Sequence, residues 1–346
     1  MGVRGTVLVT GANGHVGNNL VKALAARGHA VRATVRLVAD ESRTAPLRGL
    51  DNVELASLDV RDHTAFEAAA DGIDLMFHVA ATYRFYTGSK AADEEMIRDS
   101  LDGVEAAMRA AAKNRVRKVV LTSSIVTLPL VEKGGPAVDE SSWRSDLSVP
   151  YFRAKVLAEK RAWELAEETG VNLVTVLPGA VIGPGFYRGT PSIDVIDGIM
   201  RGGTRMGAPD VNFPYVDIRD VISGHIMAAE RDCHGRFVII GRELPSIRQI
   251  ARAMHEIDPA VPASNRLIPN FAFGALPFFD WLNAVTLGCP RMMTGEFVRE
   301  MKGKVHSMVA TRAQRELGWR QEYSLEQSLA DTMARLHDLR AGRHAG

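Results

Sequence analysis

Cysteine is scarce: the chain's 346 residues include only two, Cys233 and Cys289, too far apart for a Cys-x-x-Cys pair. That speaks against a disulfide framework and a cysteine-built zinc site, and fits a reducing compartment. No stretch of about 18 uninterrupted apolar residues occurs, so a transmembrane helix is not expected. There is no long basic run either. Forty-two Lys and Arg face 41 Asp and Glu, a formal charge of +1, which gives no support for nucleic-acid binding. Residues 3–10 are too short an apolar stretch for a secretory signal and run straight into glycines, so they read as a buried strand. Internal repeats, low-complexity tracts and metal motifs are lacking as well. Apolar residues at 46% and charged residues at 24% are ordinary globular proportions, so wholesale disorder is not expected. The composition predicts a cytoplasmic protein of two domains, or one large α/β domain with an appendage.

What the sequence does contain is alternation. Residues 6–10, 30–35, 53–58, 75–79, 118–122 and 172–177 are short, β-branched apolar runs. Stretches between them, such as 18–27 and 104–113, are rich in Ala, Leu and charge at a spacing near 3.6 residues. This predicts an α/β fold, a doubly wound parallel sheet covered by helices on both faces. A seventh strand, 237–240, returns to the same sheet. The second half differs. Residues 183–212 are loop-rich around one helical piece at 193–200. From residue 244 the pattern is mostly helical, ending in 311–317 and 324–339, where Ser324 and Gln327 have capping-box spacing. The expected organisation is a nucleotide-binding core of residues 1–182 and 213–241, with a smaller, mainly helical, discontinuous substrate lobe of 183–212 and 242–346.

Directly after the first strand comes Thr10-Gly11-Ala12-Asn13-Gly14-His15-Val16-Gly17, then a helix. Gly11 permits a tight turn, Gly14 lets backbone approach a pyrophosphate, and Gly17 allows close helix–strand packing. The helix start then presents free N–H groups to phosphate. Gly11, Asn13, Gly14, His15, Val16 and Gly17 are therefore the candidate dinucleotide loop. The second strand ends without an acid for a ribose 2′-hydroxyl and carries Arg36 instead, a guanidinium suited to a 2′-phosphate. NADP(H) is the expected cofactor, with NAD(H) as the alternative. Asp59, followed by Val60, is placed to accept from an adenine amino group. Ala80 and Ala81 are small enough to let the cofactor's ribose pass.

The fifth strand runs into Thr122-Ser123-Ser124, and Pro150-Tyr151-Phe152-Arg153-Ala154-Lys155 follows downstream. Proline suits a first helical turn, so Tyr151 and Lys155 share one helix face at i and i+4. An ammonium beside the phenol lowers its pKa toward a useful range, and the lysine can also bond a nicotinamide ribose. The Ser124 hydroxyl can hold a substrate oxygen beside that of Tyr151. A tyrosine packed beside a solvated lysine is the alternative reading.

Together, TGANGHVG at 10–17, HVAA at 78–81, TSS at 122–124, YFRAK at 151–155, LPGAVIGPG at 177–185 and YVDIRDV at 215–221 resemble the extended short-chain dehydrogenase/reductase superfamily, the NAD-dependent epimerase/dehydratase family. AVRATVR at 30–36 and FHVAA at 77–81 are similar to the dihydroflavonol 4-reductase and cinnamoyl-CoA reductase group. The resemblance implies a Rossmann core, Ser124–Tyr151–Lys155 catalysis and NADPH-dependent carbonyl reduction. It also places Thr122, Pro178, Gly179 and Val181 at the cofactor. Where many relatives carry an Asn-Val-x-Gly pattern, this chain has Ser100-Leu101-Asp102-Gly103, which removes an Asn-based proton relay. Residues 125–127 and 145–149 assign no flavonoid contacts.

Tyr83, Phe186 and Tyr187 flank the expected active-site loops and, with Ser124, are candidate substrate contacts for an apolar or aromatic carbonyl compound. Arg84, Arg188 and Arg205 are scattered rather than clustered for a phosphorylated substrate. Phe271, Phe273, Phe278, Phe279 and Trp281, with Met292 and Met293, read as a helical core or dimer contact. The alternatives are an apolar pocket wall or a lipid-touching patch. His78 reads as a packed strand-end residue, not a metal ligand. Two other functions use similar parts: a sugar-nucleotide epimerase or dehydratase with bound NAD, and an NADP-sensing regulator without turnover. A homodimer is common among such relatives.

Overall fold

The computed structural model describes residues 5–81, 87–268, 270–287, 291 and 293–342. In chain order its strands are β1 (Thr6–Thr10), β2 (Val31–Val35), β3 (Val53–Ser57), β4 (Ile73–His78), β5 (Lys118–Thr122), β6 (Val131–Glu132), β7 (Leu173–Pro178), β8 (Ala180–Ile182), β9 (Tyr215–Asp217), β10 (Gly235–Ile239) and β11 (Lys304–Val305). Its helices are α1 (His15–Ala26), α2 (Glu41–Thr44), α3 (His63–Ala69), α4 (Lys90–Lys113), α5 (Pro150–Thr169), α6 (Pro191–Met200), α7 (Ile218–Glu230), α8 (Ile247–Ile257), α9 (Leu276–Leu287), α10 (Gly295–Met301) and α11 (Leu325–Arg340).

Seven strands form one parallel sheet in the order β10-β7-β5-β4-β1-β2-β3. The chain order reverses between β1 and β4, so the crevice for a ligand lies beyond the carboxyl ends of those two strands. Side chains alternate across the strands, and both faces are buried. Val7 and Val9 pack with Leu20, Val21 and Leu24 of α1 and Val221 of α7. Leu8 points the other way, into a cluster with Phe66 of α3, Val104 of α4 and Leu165 of α5. The doubly wound sheet expected from the alternation is the observed fold.

Two short strand pairs were not legible beforehand, β8 parallel to β9 and β6 antiparallel to β11. The long helix α4 begins much earlier than residue 104, capped by Ser89, whose side chain accepts from the Ala92 N–H. Its first half is charged, and Met96 and Ile97 supply most of its apolar burial there, so periodicity is weak.

A second core joins Ile193, Ile196 and Ile199 of α6 to Ile250 and Met254 of α8 and Leu329 and Met333 of α11. The division read from the sequence assigns all of 242–346 to this lobe. Met308, Ala310, Ala313, Leu317 and Trp319 instead pack in the core beneath the sheet. Trp319 Nε1 donates to the Asp220 carbonyl at 2.9 Å, so this segment is stitched to α7. α11 is fastened to the β8–β9 pair: the Gly183 N–H donates to Thr332 Oγ1 at 2.7 Å, and Ser328 Oγ donates to Asp217 at 2.7 Å. Among the described residues no helix is long and apolar enough to cross a membrane, and no group of His, Cys, Asp and Glu is placed to hold a metal ion.

Candidate active site

The glycine loop is wedged between strand ends. Gly11 has φ +66°, and a Cβ there would stand 2.8 Å from Ala80 Cα. A Cβ on Gly17 would collide with the Gly11 carbonyl oxygen. The Gly14 N–H donates to that same oxygen at 2.9 Å, and the Ala12 N–H donates to the Thr34 carbonyl at 3.0 Å. Helix α1 then starts with no side-chain cap and no acid in its first turn, leaving its first N–H groups open to an anion. The Asn18 amide, on the same turn, is buried with neither its nitrogen nor its oxygen partnered, and His15 Nδ1 is also buried and unpartnered. Buried polar atoms are rarely left unmatched, and a pyrophosphate with its ribose would supply partners here. The loop fits a dinucleotide. Asn13 and Val16 are half-buried in it.

His15 is more than a loop residue. Burial pushes its pKa down to about 4, so the ring is neutral, and Nε2 donates to the Pro184 carbonyl at 2.8 Å. Its ring meets Phe186 edge-on at 5.5 Å. Phe186 is thus buried between α1 and the lobe core, and the Tyr187 hydroxyl accepts from Lys22 of α1 at 2.7 Å. Neither residue lines the cavity described below. Tyr83 lies outside the described residues.

Thr10 locks the switch point. Its Oγ1 accepts from the N–H groups of Val79 and Ala80, both at 3.1 Å, so its proton is free to go to His78 Nδ1 at 3.0 Å. Burial holds His78 down to about 3 and keeps it neutral, which agrees with an accepting Nδ1. His78 is the packed strand-end histidine that its position suggested. Ala80 is half-buried and Ala81 exposed at the crevice.

Arg36 stands exposed just past β2. Two further arginines gather with it, Arg188, which the sequence marked only as a scattered candidate, and Arg43, which it did not mark; burial and the charges of Arg43 and Arg36 hold Arg188 below the usual guanidinium range. Arg43 pairs with Asp40 at 2.9 Å. Asp59 has both oxygens engaged by Arg61, at 2.9 and 2.6 Å, and this pairing holds its carboxyl down to about 2. Val60 packs against Gly103, where a Cβ would be 3.2 Å from Val60 Cγ2. That contact explains the glycine in Ser100-Leu101-Asp102-Gly103.

Helix α5 opens with Pro150, as its φ allows, and puts the Tyr151 ring in the interior at 4% exposure. Lys155, one turn on, donates to the Thr122 carbonyl at 3.3 Å. Burial lowers its pKa to about 8, partly opposed by Glu159. The Thr122 hydroxyl donates to His225 Nε2 at 2.9 Å, because His225 Nδ1 already donates to the Val221 carbonyl at 2.8 Å. Ser124 caps the turn Ile125–Thr127, its Oγ accepting from the Val126 N–H at 3.3 Å. Glu159 was missed in the sequence, although it sits i+4 from Lys155 on the same face. It accepts from Ser123 at 2.6 Å and from Thr175 at 2.8 Å, and it pairs with Arg236.

Ser124 opens onto a cavity of about 280 Å³ between sheet and lobe. Gly179 and Ala180 form its floor, and a Cβ on Gly179 would collide with the Pro214 carbonyl. Val181 pairs with Val216 beside it, and Pro178 ends β7. Walls come from Val126, Phe152, Ile199, Phe213, Leu276 and Phe297. The aromatic stretch divides its duties. Phe273 is buried in the lobe, Phe279 lines the cavity, and Phe278 and Trp281 face outward at 58% and 47% exposure. The side chains of Phe271 and Met292 lie outside the described residues.

Residues 7–241 match the model of the NAD dependent epimerase/dehydratase family. Cinnamoyl-CoA reductase 1 of Arabidopsis thaliana is 34% identical over 253 residues, 68% of this chain and 70% of that protein. Dihydroflavonol 4-reductase of Callistephus chinensis is 34% identical over 268 residues, covering 72% of each. The fold matches that of yeast methylglyoxal/isovaleraldehyde reductase Gre2, crystallised with NADPH, with a TM-score of 0.76 and 20% identity over 98% of this chain and 100% of that one.

Proposed function

Because the chain belongs to the NAD dependent epimerase/dehydratase family, we propose that it is an NADPH-dependent oxidoreductase that reduces a ketone or aldehyde on an apolar or aromatic substrate, or oxidises the matching alcohol. One observation carries this reading: the strand whose end holds Lys155 at the Thr122 carbonyl continues directly into Ser124, which opens onto a largely apolar cavity. Two relatives, each about a third identical, are named as reductases of cinnamoyl-CoA and dihydroflavonol.

The open start of α1, Gly11, Gly14, Gly17 and Asn18 would hold the pyrophosphate, and Arg36 the 2′-phosphate. Bound there, the nicotinamide cofactor supplies the hydride. The chain's own residues do the rest. Ser124 and Tyr151 direct hydroxyls at the carbonyl oxygen, and Tyr151 gives it a proton as negative charge develops. The Lys155 ammonium would bond the cofactor's ribose hydroxyls and favour the Tyr151 phenolate. Apolar walls exclude water, which strengthens each of these interactions. The same residues serve a sugar-nucleotide epimerase, but no Lys or Arg is among the described residues lining the cavity to meet a diphosphate.

A panel of ketones, aldehydes and alcohols followed at 340 nm with each cofactor tests the reading. NADPH-dependent turnover should fall by roughly 10²–10⁴-fold in Tyr151→Phe. Undiminished turnover in that variant would sink the mechanism.

A further inference from the structure

We propose that Asp194 is the polar anchor of the substrate cavity, so that the enzyme prefers apolar carbonyl compounds bearing a hydrogen-bond donor, a hydroxyl or an ammonium group, away from the reacting carbon and discriminates against those bearing a carboxylate. The inference deepens the reductase reading and rests on it. It starts from an imbalance of charge. The cavity's described lining contains two carboxylates, Asp194 and Asp280, and no Lys or Arg. Asp280 is paired with Arg291 at 3.4 Å. Asp197, one turn along α6 from Asp194, is held by Arg201 at 2.7 Å and by Arg340. Among the described residues no ion-pair partner or hydrogen-bond donor meets the Asp194 carboxylate. Its Oδ1 lies close to Gly189, where a Cβ would stand 2.3 Å away.

Two further polar residues sit in the same wall. Thr204 and His306 belong to the cavity's lining at 5% and 8% exposure, and their Oγ1 and Nδ1 atoms, buried behind that surface, have no partner. His306 is fixed through its backbone, whose N–H donates to Asn212 Oδ1 at 3.0 Å. Burial and the charge of Arg144 keep its ring neutral, with a pKa near 3, so it brings no cation to the cavity. Burial and Asp197 raise Asp194 to about 6, which leaves it mostly ionised at pH 7.5. A largely apolar chamber thus carries one uncompensated negative charge, with two unpartnered polar atoms buried just behind its wall. A hydroxyl or ammonium hydrogen satisfies that charge, whereas a substrate carboxylate would be desolvated beside it.

The test uses four benzaldehydes that differ only at the para position: methyl, hydroxymethyl, dimethylammoniomethyl and carboxymethyl. kcat/KM is measured with NADPH at pH 7.5. The hydroxymethyl and ammonium compounds should exceed the methyl parent by about 10- to 100-fold, with the carboxymethyl compound below it. In Asp194→Asn the ammonium-to-methyl ratio should fall toward one, and in Asp194→Lys the carboxymethyl compound should overtake the ammonium one. If neither variant folds, the ranking in the unaltered protein decides. Equal kcat/KM across the four overturns the inference and leaves the reductase reading standing. Failure to reduce the methyl parent and every carbonyl of the wider panel overturns both.

Discussion

The Glu159 carboxylate and the Arg236 guanidinium pair at 2.9 Å in the protein interior, one helical turn beyond Lys155. The pair is completely dressed. Arg236 also donates to the carbonyls of Glu140 and Ser142 and to Thr127 Oγ1, and it stacks on Trp143 at 3.7 Å. Since Glu159 accepts from Ser123 as well, the pair binds α5, the end of β5 and β10 into one unit around Ser124 and Lys155.

Removing one partner strands a buried charge. Glu159→Gln and Arg236→Met should each cost roughly 3–5 kcal/mol, whereas the double substitution should cost clearly less than their sum. Urea unfolding of the three variants checks this. Additive costs would mean that the two side chains do not act as a pair.

The titration of Lys155 has two readouts of opposite sign. Burial puts its folded-state pKa at about 8, below the ordinary 10.5. Between those values the unfolded chain binds the proton that the folded chain releases, so stability of the cofactor-free protein gains a contribution as pH rises from 8 to 10.5. Function runs the other way. kcat/KM for NADPH should fall above pH 8 as the ammonium is lost, and Lys155→Met should flatten both responses. Glu159→Gln should bring the activity limb to lower pH, because Glu159 favours the charged lysine.

Arg36 and Arg43 should set cofactor choice. Each charge-assisted hydrogen bond is worth about 1.5–3 kcal/mol, so Arg36→Ala should weaken NADPH binding by roughly 10- to 100-fold and leave NADH nearly untouched. Titration calorimetry with both nucleotides decides. Equal losses for the two would show that Arg36 does not read the 2′-phosphate, and no loss with either would assign it to solvent.

Gly17→Ala would drive a methyl group into the Gly11 carbonyl, so it should destabilise the protein by about 1–3 kcal/mol and raise the Kd for NADPH at least tenfold. Gly295→Ala, where a Cβ meets nothing within 4 Å, is the matched control and should be neutral or slightly stabilising. A shared loss of nucleotide affinity in both would rule out the steric cause.

Local patterns carried most of the sheet. Runs such as Thr6–Thr10 and Lys118–Thr122 are short, β-branched and bounded, and the structure keeps those limits. The glycine loop and the Tyr151–Lys155 spacing are also local, and the structure keeps the strand–turn–helix and the helix start that they imply. What escaped depends on distant contacts. Glu159 acquires its meaning only when Arg236 arrives on another strand, and Arg188 only when its loop folds back near Arg36 and Arg43. Phe186 and Tyr187 sit beside a glycine-rich turn that suggested a pocket. Their actual partners, His15 and Lys22, are on the first helix, far away in sequence. The aromatic stretch at 271–281 mixes buried, cavity-lining and outward-facing rings, which composition alone does not separate.

Trp319 and its neighbours close the core beneath the sheet from near the far end of the chain. A polypeptide emerging from the ribosome therefore makes all seven strands long before it makes the residues that seal them. Neither half of the molecule is finished first. The nucleotide-binding half awaits residue 319, and α11 then fastens both halves through Ser328 and Thr332. Until then that side of the sheet is covered only by α1 and α7, and the part that Trp319 fills stays open.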